Sequence, residues 1–234
     1  MGGMKKQPED KAVRMRKHKH TDERLALCAD LLPAFPDEYK GNWREVFARR
    51  MGKVPERLEL EIGCGKGGFI LGLATREENT AFVAVEVCRE ALLLAVEKCK
   101  AANLKNVLFL CLNAQTLANV FEPGEVEKIY LNFSDPWPKF RHAKRRLTAP
   151  AFLALYQTLL AKGGAVLQKT DNAPLFAYSL ESFRENNWRL EDVTDDLHNS
   201  PWAEGNIMTE YEKTWSEKGF TIHALTAFPP EKDA

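Results

Sequence analysis

The chain of 234 residues is long enough for one domain with a substantial core, and its 44% hydrophobic and 28% charged residues are typical of a globular protein. Its 33 lysines and arginines balance 33 aspartates and glutamates, so the net charge alone does not indicate a nucleic-acid partner. No apolar run approaches the roughly 20 residues of a membrane span, and the basic start lacks the apolar region of a signal peptide. We therefore expect a cytoplasmic protein without membrane contact.

The chain begins with a basic segment and continues as an alternation of strands and helices. Residues 1–20 are rich in lysine, arginine and histidine and are predicted to be flexible. A helix is predicted over 21–32, with Thr21 as its cap and Pro33 as its end. Short apolar strands are predicted at 58–62, 80–86, 106–112, 128–133, 165–169, 188–193 and 220–227. Helices are predicted from 42 and at 69–76, 89–102, 148–161, 174–186 and 210–218.

This alternation indicates an α/β protein with a doubly wound, mostly parallel seven-stranded sheet and helices on both faces. We expect residues 1–50 to form a flexible basic segment with short helices, and residues 51–234 to form a single domain. The helix at 148–161 is predicted to be capped by Thr148 and closed by the glycines at 163–164. In such sheets ligands bind beyond the carboxyl ends of the strands, so candidate site residues are sought there.

The first three strand ends carry features that suit an adenosine-containing ligand. The first strand leads into Glu61-Ile62-Gly63-Cys64-Gly65-Lys66-Gly67-Gly68, and glycines let a ligand approach the backbone closely. Glu86 ends the second strand, where a carboxylate can accept hydrogen bonds from both hydroxyls of a ribose. Asn113 follows the third strand, where an amide can read an adenine edge.

Three classes of adenosine ligand are considered for this site. A nucleotide bound by a phosphate-binding loop for phosphate transfer is disfavoured, because Lys66 is followed by Gly67 rather than by serine or threonine. A nicotinamide-dependent oxidoreductase stays open, since the glycines satisfy Gly-x-Gly-x-x-Gly and Glu86 falls near the expected spacing. S-adenosylmethionine is favoured, because only a methyltransferase gives a role to an acidic turn after the fourth strand. No metal is predicted, since the five cysteines are scattered and form no Cys-x-x-Cys pair.

Residues 131–146 combine an acid, two prolines and many cations. Asp135 is followed by Pro136-Trp137-Pro138. Proline fixes its own φ and favours extended geometry in the residue before it, so we predict a rigid, extended arm that aims a carboxylate and an indole ring. The cations that follow are Lys139, Arg141, Lys144, Arg145 and Arg146. They favour a polyanionic substrate, although a loop with a solvated charged face stays open as the simpler interpretation.

Together these residues resemble one family, the bacterial tRNA (guanine-N7-)-methyltransferases. The most specific matches are the segments Ser134-Asp135-Pro136-Trp137-Pro138-Lys139 and Thr209-Glu210-Tyr211-Glu212. The glycine-rich segment at 61–67, Glu86, Asn113, the basic run at 141–146 and Thr170-Asp171-Asn172 also match. The resemblance implies a Rossmann-like class I methyltransferase fold. It also implies methyl transfer from S-adenosylmethionine to N7 of guanine-46 in the variable loop of tRNA, by a monomer or a homodimer.

The resemblance also implies a role for each matching residue. The cofactor or its pocket is contacted by Glu61, Gly63, Gly65, Gly67, Glu86, Asn113 and Asp135. The substrate is contacted by Lys139, Asp171, Thr209, Glu210, Tyr211 and Glu212. The RNA lies along Arg141, His142, Lys144, Arg145 and Arg146. Asn113 departs from the family pattern, since many members carry aspartate at that position.

The chemistry of guanine N7 limits what the catalytic residue has to do. N7 carries an in-plane lone pair and no proton, so its attack on a methyl group needs no general base. Catalysis then consists largely of in-line positioning. We interpret Asp135 as the catalytic residue that accepts hydrogen bonds from guanine N1–H and N2–H and stabilises the developing positive charge.

Overall fold

The computed structural model describes residues 19–231, so residues 1–18 of the predicted flexible segment at 1–20 lie outside the described residues. The helices within that range are α1 (Thr21–Ala26), α2 (Trp43–Met51), α3 (Gly68–Arg76), α4 (Arg89–Ala101), α5 (Pro150–Leu159), α6 (Ala173–Glu185) and α7 (Glu210–Ser216). The strands are β1 (Arg57–Ile62), β2 (Thr80–Val85), β3 (Val107–Leu110), β4 (Val126–Asn132), β5 (Leu160–Thr170), β6 (Arg189–Thr194) and β7 (His223–Phe228).

The described strands form one sheet in the order β3-β2-β1-β4-β5-β7-β6. Strands β1 to β5 pair in parallel, and β7 runs antiparallel between β5 and β6. This arrangement confirms the predicted seven-stranded, mostly parallel, doubly wound sheet. The strand order reverses between β1 and β4, which places a ligand crevice at their carboxyl ends.

The sheet is buried on both faces. Strand β1 illustrates this, because its alternate side chains pack into different clusters on the two faces. Its alternate residues Leu58, Leu60 and Ile62 pack into the cluster that contains Trp43 of α2 and Tyr156 of α5. The intervening Glu59 and Glu61 face the side that carries α3 and α4, and both acids are buried. An alternating strand would ordinarily expose its polar face to water, so the burial of these two carboxylates needs specific partners.

Two predicted helix boundaries are wrong. The helix predicted over 21–32 ends at Ala26 and continues as a short 3₁₀ turn, Ala29–Leu31, with His20 rather than Thr21 as its N-cap residue. The helix predicted over 148–161 starts at Pro150, with Ala149 as its N-cap residue. Thr148 is buried, and its hydroxyl lies 2.8 Å from Ser179 Oγ instead of capping the helix. The glycines at 163–164 lie inside β5 and therefore do not close that helix.

No helix between residues 19 and 231 combines the length and the apolar character needed to cross a bilayer. Helix α5, for example, buries Phe152, Leu153, Tyr156 and Leu159 in the same core cluster as Leu58, Leu60 and Ile62 of β1.

Two buried tyrosines provide a matched test of this core. The Tyr130 hydroxyl donates to Glu59 Oε2 over 2.7 Å, whereas none of the described residues offers the Tyr156 hydroxyl a hydrogen-bond partner. We expect Tyr130→Phe to lower the free energy of unfolding by about 1–3 kcal/mol, since it leaves a buried carboxylate with one partner fewer. Tyr156→Phe should be neutral or slightly stabilising. Urea denaturation of both variants checks this, and a larger loss in Tyr156→Phe would contradict the assignment.

Candidate active site

A cavity of about 950 Å³ lies at the carboxyl ends of β1 to β4 and is closed on one side by α7. Its volume is at the upper end of the range for small-molecule sites. The predicted site residues on its wall are Glu61, Gly63, Gly65, Glu86, Asn113, Asp135, Arg145, Thr209, Glu210 and Tyr211. The fold thus brings together residues from five separate parts of the sequence.

The glycine-rich turn after β1 supplies backbone to the cavity. Gly63 and Gly65 line the wall, and both have positive φ, at +80° and +53°. Gly67 does not line the cavity. It faces α4 instead, where an added Cβ atom would lie 2.6 Å from the Cβ of Ala95. Gly67 therefore allows the turn to pack on α4, and its contribution to a ligand site is indirect.

Glu61 is the buried acid of the cavity. Its Oε1 accepts a hydrogen bond from Asn132 Nδ2 over 3.0 Å, while its buried Oε2 has no hydrogen-bond partner among the described residues. Burial raises the pKa of Glu61 to about 7, although the hydrogen bond from Asn132 and the charge of Lys169 act in the opposite direction. A buried carboxylate with one unsatisfied oxygen is suited to a cationic or hydrogen-bond-donating ligand.

Glu86 and Asn113 are held in place by the local backbone. Glu86 Oε2 accepts from the Gly65 N–H over 2.9 Å, and its Oε1 accepts from the Cys88 N–H over 2.8 Å. Each oxygen of the Glu86 carboxylate keeps a second lone pair, so the carboxylate can also accept hydrogen bonds from two ligand hydroxyls. The Asn113 side-chain oxygen accepts from the Gln115 N–H over 2.9 Å at the start of a 3₁₀ turn, which leaves its NH₂ group as a donor.

Asp135 lies on a turn with unusual backbone geometry. Phe133 and Trp137 flank it, and both are non-glycine residues with positive φ, at +53° and +43°. The extended geometry predicted for Trp137 before proline is therefore wrong. The Arg146 guanidinium donates to the carbonyl oxygens of Pro136 (2.9 Å) and Trp137 (3.1 Å), and these two bonds hold the turn in the less common conformation.

The basic run divides into exposed cations and cations that contact the turn. Lys139, Arg141 and Lys144 are exposed and lie off the cavity wall. The Arg145 guanidinium lies 4.9 Å from the centre of the Trp137 ring, at the rim of the cavity. His142 contacts the same ring edge-on at 5.7 Å, and partial burial together with the neighbouring cations lowers the pKa of His142.

Glu212 does not lie on the cavity wall, although the resemblance implies a substrate contact for it. Its side chain is fully buried and accepts hydrogen bonds from Lys169 (2.7 Å) and Asn206 (2.7 Å), with His198 Nε2 at 2.9 Å. It also completes a capping box with Thr209, whose hydroxyl accepts from the Glu212 N–H over 2.8 Å. Burial alone raises the pKa of Glu212, but the Lys169 ammonium outweighs it and holds the pKa low.

The exposed side of α7 carries the residues that face the cavity. The Tyr211 hydroxyl donates to Asp171 Oδ2 over 3.2 Å, and its ring lies 5.1 Å from the Phe133 ring and 5.6 Å from Trp215. Asp171 itself lies off the wall and orients Tyr211. Glu210 contacts Lys98 of α4, which also donates to the Lys66 carbonyl oxygen over 2.8 Å. Helix α7 is thus fastened both to the glycine-rich turn and to the sheet.

Three residues that shape the cavity or its support were not predicted from the sequence. Lys169 pairs with Glu212, while Phe133 and Trp215 extend the aromatic side of the cavity. The available signal for Lys169 was a lysine at the end of an otherwise apolar strand, where a charge requires a partner. Cys64, in the glycine-rich turn, is buried, and burial raises the pKa of its thiol well above the ordinary value, which suits a packing role rather than a nucleophilic one.

Comparisons with known proteins define the class first. The family described as "Putative methyltransferase" matches residues 55–225. The solved structure of the 16S rRNA methyltransferase KamB superimposes with a TM-score of 0.59 at 17% identity, covering 80% of this chain and 92% of that one. The sheet described above is therefore the Rossmann-like fold of class I methyltransferases.

Curated relatives narrow the class to a family. The tRNA (guanine-N(7)-)-methyltransferase of Lachnoclostridium phytofermentans is 48% identical over 193 residues, which is 82% of this chain and 88% of the relative. That of Bacillus subtilis is 46% identical over 211 residues, which is 90% of this chain and 96% of the relative. The chain belongs to the tRNA (guanine-N(7)-)-methyltransferase family. This membership sets aside the nicotinamide-dependent oxidoreductase.

The raised pKa of Glu61 predicts how the stability of the ligand-free protein depends on pH. A carboxyl group whose pKa rises from 4.5 to about 7 on folding stabilises the protein below the lower value, and this contribution is lost as the pH rises through about 7. We expect the free energy of unfolding to fall between pH 5 and pH 8, by at most on the order of 3 kcal/mol from this group. In Glu61→Gln, that part of the decline should disappear.

The measurement is urea denaturation of both proteins at pH 5, 6, 7 and 8. The difference between the two curves isolates Glu61, because every other titrating group is shared. Parallel pH dependences would show that Glu61 is ionised throughout this range.

Proposed function

We propose that the protein transfers the methyl group of S-adenosylmethionine to N7 of a guanine in tRNA, namely guanine-46 of the variable loop. One observation carries this proposal: Asp135 lies on the wall of the same cavity as Glu61 and Glu86, at a rim formed by the basic loop, residues 139–146. The family membership supports the same reaction. A tRNA substrate also agrees with a cytoplasmic location.

The cavity fits the proposed methyl donor. Glu61 has an unsatisfied, buried oxygen that suits the amino group of the methionine portion. Glu86 suits the ribose hydroxyls, and the NH₂ group of Asn113 suits an adenine nitrogen. Gly63 and Gly65 leave open space beside the backbone, since no heavy atom lies within 4 Å of an added Cβ. When bound, S-adenosylmethionine supplies an electrophilic methyl group on a sulfonium.

Asp135 acts on the guanine without removing a proton from N7. Its carboxylate accepts hydrogen bonds from N1–H and N2–H, on the opposite edge of the purine from N7. Methylation places positive charge on the purine, and these two hydrogen bonds become stronger as that charge develops. The backbone strain at Phe133 and Trp137 is consistent with a carboxylate fixed in direction before the substrate arrives.

The remaining predicted substrate residues divide by location. Tyr211 and Thr209 lie on the wall and contact the guanosine, with the Tyr211 ring oriented by Asp171. Glu210 accepts a hydrogen bond from Lys98 of α4, and this contact closes that side of the cavity. Glu212 positions these residues rather than contacting the substrate, since it is fully buried. Exposed Lys139 binds a phosphate.

The RNA follows the basic loop outward from the cavity. Arg141, Lys144 and Arg145 are exposed and contribute sequence-independent phosphate contacts. His142 supports the Trp137 ring, and Arg146 holds the turn that carries Asp135.

The direct test incubates the protein with labelled S-adenosylmethionine and bulk tRNA, followed by borohydride–aniline cleavage, which marks N7-methylguanosine. Cleavage after the variable-loop guanine is expected. Label incorporation without cleavage would place the methyl group on another atom.

Asp135→Ala is expected to lower the methylation rate by about 10²-fold or more, because it removes the group that stabilises the charged purine. Binding of S-adenosylmethionine should stay near normal, as measured by calorimetry. Asp135→Asn serves as the matched variant, since it keeps the size but loses the charge. Unchanged turnover in Asp135→Ala would remove Asp135 from the mechanism.

The double variant Arg141→Ala/Lys144→Ala is expected to weaken tRNA binding and to reduce the slope of log affinity against log salt by about 1 to 2. Its control is Lys162→Ala/Arg184→Ala, which removes one lysine and one arginine from the opposite end of β5 and α6. Equal slopes in the two double variants would mean that the RNA path lies elsewhere.

A further inference from the structure

The basic loop carries an exposed aromatic residue that the proposed function leaves without a role. Phe140 is 94% exposed, more than any other large hydrophobic residue in the described part of the chain; Leu27 follows at 75%. A phenyl ring in that position adds nothing to packing, so the folded state does not require it. Single exposed hydrophobic residues are common on proteins, and the surroundings of Phe140 therefore decide its meaning.

Those surroundings are cationic on both sides. Phe140 begins the 3₁₀ turn Phe140–Arg145, between exposed Lys139 and exposed Arg141. A protein partner that buries a phenyl ring ordinarily contacts other apolar residues around it, whereas the chain neighbours of Phe140 are exposed cations. A flat aromatic ring within a cationic loop matches a nucleobase attached to a phosphate backbone.

The loop holds Phe140 in a fixed place beside the cavity. Trp137 and Arg145, which precede and follow it in the chain, both lie on the cavity wall and contact each other. The His142 N–H donates to the Lys139 carbonyl oxygen over 2.8 Å, and Arg146 fastens the start of the loop. Since the loop is already ordered, little conformational entropy is lost when the ring meets a base.

We propose that Phe140 stacks on an unpaired base of the tRNA next to the methylated guanine. The proposal rests on the proposed function, because it takes tRNA as the substrate. Stacking on Phe140 keeps this neighbouring nucleotide out of the cavity while the target guanine enters it. Because every base has an aromatic face, this contact strengthens binding without selecting a particular base.

The experiment compares Phe140→Ala, Phe140→Leu and Phe140→Tyr with the wild-type protein. Phe35→Ala is the matched control, since Phe35 is 65% exposed and lies off the cavity wall. The affinity for tRNA is measured at several salt concentrations, together with methylation kinetics and the affinity for S-adenosylmethionine.

Phe140→Ala should weaken tRNA binding about 10-fold at every salt concentration, because stacking is lost while the phosphate contacts stay. The salt slope and the affinity for S-adenosylmethionine should not change. Phe140→Tyr should restore binding, whereas Phe140→Leu should not, since leucine is apolar but has no flat ring. Phe35→Ala should match the wild type.

Unchanged tRNA affinity in Phe140→Ala, or full restoration by Phe140→Leu, would overturn the stacking proposal. Either result leaves the proposed function standing, provided that the wild-type protein methylates tRNA. Failure of the wild-type protein to methylate tRNA would instead overturn the proposed function. A tRNA without a base at the flanking nucleotide adds a second check, because the difference between the wild-type protein and Phe140→Ala should then vanish.

Discussion

The buried ion pair between Lys169 and Glu212 joins the sheet to the helix that closes one side of the cavity. Lys169 ends strand β5, and Glu212 lies in the first turn of helix α7. Removing one partner of such a pair leaves an uncompensated buried charge, which costs several kcal/mol. Helix α7 therefore stays fixed against the sheet. Thr209 and Tyr211, which flank this contact in the chain, are held on the cavity wall as a result.

A fixed wall suits a reaction that depends on alignment. Guanine N7 needs no base to remove a proton, so in the proposed mechanism the protein contributes geometry and the negative charge of Asp135, opposite the developing positive one. The side chains around the cavity are accordingly held by other protein groups: Glu86 by two backbone N–H groups, Tyr211 by Asp171, and the turn at Asp135 by Arg146.

The sequence predicts the sheet and the strand-end acids because both depend on local patterns. The apolar strands alternate with helices. Glu61 is the penultimate residue of β1, and Glu86 and Asp135 follow the ends of β2 and β4, so the parallel topology brings them together. The internal roles of Glu212 and Arg146 were not predictable in this way. Glu212 pairs with a lysine 43 residues earlier, and only the folded chain shows that pairing.

The antiparallel strand β7 has a consequence for the order of assembly. In the sheet, β7 lies between β5 and β6, although it follows both in the chain, so β6 has no partner until β7 has inserted. The strands β1 to β4, whose carboxyl ends line the cavity, are complete much earlier during synthesis. Helix α7 lies between β6 and β7 in sequence, so it docks only at this last stage. The ends of β1 to β4, which line most of the cavity, are therefore synthesised before the helix α7 that closes it.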